Sequence, residues 1–187
     1  MATATVTKSE FDALNRSWLS SMTTEERAAT GYTHKVIISA KDIADKATSE
    51  GLTGTGDELT FTVMNLAQFA DSDSAITDCA LVVSEVWTAS TAGTFDVDVG
   101  DAVGGAQLLA AIVPMTTGTG LPKGTATYAT LPDDENPLSD TNATGGTAAG
   151  AIYVNVLSKS VSATGLDDFT AGELTLFLKV RESINMI

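Results

Sequence analysis

The stretch from Ile76 to Asp101, ITDCALVVSEVWTASTAGTFDVDVGD, constrains the fold of this chain more than any other. In its second half Phe95, Val97 and Val99 alternate with Thr94, Asp96 and Asp98. One face is apolar and the other acidic, the period of two that a half-buried strand requires. In its first half, from Cys79 to Trp87, apolar residues fall on both faces: Leu81, Val83 and Trp87 on one, Ala80, Val82 and Val86 on the other. That pattern predicts a strand covered on both sides. The polar residues Thr88 to Gly93 between the halves predict a short turn, so the stretch is expected to form two antiparallel core strands. Such a pair needs neighbours in a larger sheet.

The rest of the chain supplies them. Tyr32 to Ala40 (YTHKVIISA) predicts a strand, and Lys41 to Glu58 a polar stretch that allows a helical turn and contains the breaker run GLTGTGDE. Leu59 to Leu66 alternates cleanly, with Leu59, Phe61 and Val63 on one face. The run GGAQLLAAIVPM is too short for its period to separate strand from helix. Thr116 to Gly146 is rich in Thr, Gly, Asp and Asn, holds Pro122, Pro132 and Pro137, and predicts a surface excursion with one short strand at Thr125 to Leu131. Ala151 to Leu157 and Glu173 to Arg181 are the clearest strands, with Ile152, Val154 and Val156 inward in one and Leu174, Leu176, Leu178 and Val180 inward in the other. The fold class expected is all-β: an antiparallel β-sandwich, jelly-roll-like, with a short α-helical N-terminal arm.

The arm occupies residues 1–30, and the β-sandwich domain residues 31–187 with a long surface loop at about 114–148. Thr7 with Glu10, and Thr23 with Glu26, are capping-box pairs that predict one helix over Thr7 to Met22 and a second, shorter one ended by Gly31. Phe11, Leu14, Trp18 and Met22 recur at helical spacing in the first. A helix this short cannot leave such a stripe in water, so Phe11, Leu14, Trp18 and Met22 are candidate contact residues, against either the chain's own body or another copy.

Charge narrows the partners. With 24 Asp plus Glu against 10 Lys plus Arg, the net charge of −14 repels phosphate and disfavours nucleic acid and anionic membrane. No apolar run approaches the roughly 20 residues of a membrane span, and the N-terminus lacks the pattern of a secretory signal, so a chain made in the cytoplasm is expected. The lone Cys79 excludes an intrachain disulfide framework, and its strand context predicts a small buried hydrophobe. The lone His34 excludes metal sites built from several histidines, and no G-x-S-x-G elbow accompanies it. Asp96, Asp98 and Asp101 in DVDVGD miss the calcium-loop spacing, because Gly100 stands where a ligand belongs, and predict a solvated strand face. Asp133, Asp134 and Glu135 in the long loop are the alternative place for a cation. No catalytic residue, cofactor or metal is expected.

The segment VVSEVWTASTAGTFDVDVGDA, followed by AIYVNV and AGELTLFLKVRES, resembles small acidic head proteins of tailed bacteriophages over about Thr60 to Glu182. These are capsid decoration or cement proteins. The resemblance implies a structural, non-enzymatic virion protein on the outer capsid surface, a homotrimer bound to the major capsid protein and stabilising the head. The alternative it leaves open is a receptor- or carbohydrate-binding β-sandwich module of a phage tail or spike.

Overall fold

The computed structural model describes residues 3–6, 20–65, 75–100, 108–130, 151–159 and 165–181. In chain order the elements are β1 (Thr3–Val6), β2 (Ser20–Ser21), α1 (Thr24–Thr30), β3 (His34–Ser39), α2 (Ala40–Glu50), β4 (Glu58–Asn65), β5 (Ala75–Ala89) and β6 (Phe95–Gly100). They continue with β7 (Leu109–Thr116), β8 (Thr119–Gly120), β9 (Ala126–Thr130), β10 (Ala151–Ser158), a 3-10 turn (Leu166–Asp168) and β11 (Phe169–Arg181). The fold is all-β, in two sheets. One is six-stranded in the order β1-β4-β10-β6-β7-β8, the other five-stranded in the order β2-β3-β11-β5-β9.

The longer strands pair as a nested set. β3 pairs with β11, β4 with β10, β5 with β9 and β6 with β7, all antiparallel. The antiparallel pairings β11 with β5 and β10 with β6 then join these couples into the two sheets. Inward residues of both sheets meet in one core: Val36, Leu81, Leu176 and Leu178 from the five-stranded sheet, Leu59, Phe61, Val97, Val99, Val154 and Val156 from the six-stranded one. Each alternates with an outward neighbour, which is why these strands are visible in sequence.

The central stretch folds differently from the expected pair. β5 lies in the five-stranded sheet and β6 in the six-stranded one, so they are not hydrogen-bonded partners. The residues between them are too many, and lack the Asn-Gly or Asp-Gly pair, for the tightest hairpin, and they are long enough to cross the roughly 10 Å between stacked sheets. Asp168 pins the crossing. Its carbonyl accepts from Ser90 N–H at 2.8 Å, and its carboxylate accepts from the Ser90 and Thr91 hydroxyls at 2.7 and 2.9 Å. Beneath it the rings of Trp87 and Phe169 meet edge-on at 4.8 Å, and Phe95 of the other sheet lies 4.1 Å from Phe169. Glycine is required here: Gly172 has φ +131, and a Cβ on it would sit 2.6 Å from the Trp87 ring. Nor is β5 covered on both faces. Ala80 is buried, Val82 is half-buried and Val86 is exposed.

Several further expectations change. The arrangement is not wholly antiparallel, because β1 runs parallel to β4. The predicted helix over Thr7 to Met22 does not reach its end: Ser20 and Ser21 are extended and pair with Lys35 and His34, and Met22 N–H donates to Thr33 O at 2.8 Å. Residues of the first 30 thus contribute a strand to each sheet. The second helix is as expected, with both halves of the Thr23/Glu26 capping box formed and Gly31 at φ 79 after its last turn. The polar stretch after β3 is more than a turn. It is the 11-residue helix α2, capped by the Ser39 side chain and burying Ile43, Ala44 and Ala47. Alanine makes most of that stripe, so its periodicity is faint in sequence. Of the ambiguous run ending at Met115, the part from Leu109 on is the strand β7. Of the predicted loop at about 114–148, residues 114–130 hold the end of β7, then β8 and β9. The remainder lies outside the described residues, and within those described no helix is long and apolar enough to cross a membrane.

Candidate interaction surface

Of the candidate contact residues, Phe11, Leu14 and Trp18 lie outside the described residues. Met22 is 4% exposed, so it is inside its own chain rather than on an adhesive stripe. On either side of residues 7–19, Val6 pairs with Phe61 and Ser20 with Lys35, both within the same chain.

His34 and Cys79, singled out for chemistry, occupy structural positions. His34 is buried at the start of β3, with Nδ1 2.8 Å from the Thr33 hydroxyl. That hydroxyl also donates to Leu178 O and accepts from Val180 N–H, so the cluster joins the end of β11 to β3. Cys79 is fully buried, as expected, and burial, followed by the Asp78 charge, pushes its thiol up to about 12. At neutral pH such a thiol holds its proton and is no nucleophile.

The acidic face of β6 is not the solvated surface its composition predicts. Asp96 is 6% exposed and ion-paired with Lys159. Asp98 accepts from Asn155 Nδ2 at 2.8 Å, and Asn155 Oδ1 accepts from the Thr60 hydroxyl at 2.9 Å. Thr60, Asn155 and Asp98 stand opposite one another on three adjacent strands. They alternate with inward Leu59, Val154 and Val97, and so face away from the core. Among the described residues no group of three or more His, Cys, Asp or Glu is placed to hold a metal ion. Asp101, Asp133, Asp134 and Glu135 are not among them.

The outward face of the five-stranded sheet is of another kind. Across it Lys35, Phe177, Ala80 and Tyr128 share one rung of β3, β11, β5 and β9. Tyr128 is 70% exposed, and with Val86 it makes the pair of large exposed hydrophobic residues found among the described ones. Tyr32 lies against Phe177, ring centroids 5.6 Å apart. Its phenol is pushed up to about 12 by burial first, then by the charge of Asp78, with Cys79, Tyr128 and a hydrogen bond to Asp78 adding to it. Tyr32, Asp78 and Tyr128 therefore form one neighbourhood that combines an open aromatic ring, a phenol and a carboxylate. The sequence carries little sign of it. Tyr128 sits among Ala and Thr in a short strand, and only the register opposite Ala80 brings it beside Asp78 and Tyr32, 50 and 96 positions earlier in the chain. No family model, curated protein or solved structure matches the chain.

Proposed function

We propose that the chain is a structural virion protein, a decoration or cement protein that binds the outer surface of an assembled phage head, and that its two sheets form a jelly roll. The nested strand order carries this reading. Folding an eight-stranded antiparallel hairpin on itself pairs first with last, second with seventh, third with sixth and fourth with fifth, and wrapping it produces the two sheets of a jelly roll. β3 to β11, without the two-residue β8, pair in that order. The architecture is one used by capsid and lectin domains. The net charge of −14 suits a surface that stays off packaged nucleic acid and soluble at high copy number. A protein that binds the assembled lattice better than its free subunits stabilises it by mass action.

The partner is then the major capsid protein, and the assembled form a homotrimer at a symmetry position of the head. Mixing the purified full chain with heads that lack it tests this. Co-sedimentation at a fixed stoichiometry, with a higher temperature of head disruption, is expected; heads that neither bind the chain nor gain stability would reject the reading. Sedimentation of the free chain checks the trimer, and a monomer rejects it. Tyr128 beside Tyr32 and Asp78 favours a second reading, a glycan- or receptor-binding module of a tail or spike, since sugar rings stack on exposed aromatic faces while carboxylates accept from their hydroxyls. Glycan binding abolished by Tyr128→Ala, with antibody label on tails rather than heads, would select it.

A further inference from the structure

The outward face of β3, β11, β5 and β9 carries two largely apolar rungs side by side. On one, Ile37, Thr175, Val82 and Ala126 stand in line, Thr175 buried and the other three half-buried. On the next, Lys35, Phe177, Ala80 and Tyr128 stand in line, and Tyr32 packs its ring 5.6 Å from that of Phe177. Four strands at about 4.8 Å spacing make a patch roughly 15 Å across. Tyr128 stands exposed at its edge, with the small Ala80 and Ala126 as neighbours.

The polar groups of the patch are already engaged inside the chain. Lys35 is ion-paired with Glu26. Asp78, one rung along with Lys179 opposite it, accepts from Cys79 N–H at 2.8 Å and from the Tyr32 phenol. The Ser84 and Thr175 hydroxyls meet at 3.0 Å. Groups so engaged offer little to the hydroxyls of a sugar, whereas a second protein surface can cover them without stranding a donor or an acceptor. The charges balance as well. Lys35 with Glu26 and Lys179 with Asp78 leave the patch close to neutral on a chain of net charge −14. Like charges brought together oppose association, so two such chains meet at the lowest cost where each is locally neutral.

We propose that this patch is where one copy of the chain meets the next in the homotrimer, a contact that rests on the oligomeric part of the reading above and not on the capsid partner. In a closed three-fold ring the two sides of each contact differ, so Tyr128 of one copy is the ring that a different surface of its neighbour receives. Tyrosine suits that role, since its large ring carries much of the energy of a protein contact.

Sedimentation velocity of the full chain across a range of NaCl concentrations tests this. The wild type is expected to sediment as an oligomer that tightens as salt rises, since salt screens the repulsion between acidic chains. Tyr128→Asp should weaken assembly about tenfold or more, and Tyr128→Ser, which adds no charge, should weaken it in the same direction, both variants remaining folded by circular dichroism. Val86→Asp places the same charge at an exposed residue about 20 Å along β5 from Ala80 and should leave assembly intact. A monomeric wild type, an oligomer indifferent to both Tyr128 variants, or equal weakening by Val86→Asp overturns the contact. So does an oligomer that salt dissociates, because charge pairing would then hold it. Binding to a glycan array that Tyr128→Ser abolishes while assembly is unchanged gives the patch to a sugar instead. Heads are scored separately: chains that assemble through Tyr128 yet ignore heads remove the capsid partner and keep the contact, and chains that bind heads but assemble without Tyr128 do the reverse.

Discussion

The two outward faces of this molecule invert the usual expectation in opposite ways. On the six-stranded sheet Thr60, Asn155 and Asp96 are polar and closed, at 0, 2 and 6% exposure; on the five-stranded sheet Tyr128 and Val86 are apolar and open, at 70 and 41%. Both faces lie behind equally dry inner faces, since Val97 and Leu176 are each 0% exposed. Burial inward therefore follows strand alternation, whereas burial outward does not follow from the polarity of the residues on that face. A polar row tolerates burial when its members satisfy one another, as Thr60, Asn155 and Asp98 do. An aromatic residue can stay open when its rung neighbour is as small as Ala80.

The largest expected effect tests the part the sheets have in common. Val97→Asp and Leu176→Asp each place an unpaired carboxylate in the shared core, at a cost of several kcal/mol against a total stability of about 5–15 kcal/mol. Both should lose the cooperative unfolding transition followed by circular dichroism; a variant that still unfolds cooperatively would show that the two sheets do not depend equally on the shared core. Asn155→Ala is expected to cost about 1–3 kcal/mol in urea unfolding, because it strands the Thr60 hydroxyl and removes a donor from Asp98. A cost within error would mean that the closed row contributes nothing. Tyr128→Ser should change stability by less than about 0.5 kcal/mol while weakening whatever the open face binds. If it destabilises as much as Asn155→Ala, the exposed ring supports the fold and the contrast between the faces fails. At the small end, Cys79 should not react with an aromatic disulfide reagent at pH 8 until the chain is unfolded, since burial pushes its thiol up to about 12. Rapid labelling of the native chain would show that β5 opens to solvent.

β4, β10 and most of β11 were legible because one face of each buries regular large aliphatics, Leu59 with Val63, Val154 with Val156, and Leu174 with Leu178. β11 begins earlier than its pattern does, at Phe169, because the irregular register around Ala171 and Gly172 that admits Trp87 interrupts the alternation. α2 was faint because its buried side is largely Ala40, Ala44 and Ala47 around the single Ile43. The polar row and the aromatic neighbourhood were not legible: Thr60 and Asn155, like Ala80 and Tyr128, are far apart in the chain and meet only through register.

What the sequence by itself determined is local: where strands lie, which of their residues face inward, and where Thr23 opens a helix and Gly31 closes it. Those follow from interactions within a few residues, the alternation of side chains along a strand and the capping of a helix end. Only the tertiary structure decided that β5 and β6 part into different sheets, that an acidic strand face is closed and that a tyrosine is left open. Strand pairing is a choice among distant partners made by the packing of the whole core, and no short stretch of chain contains it.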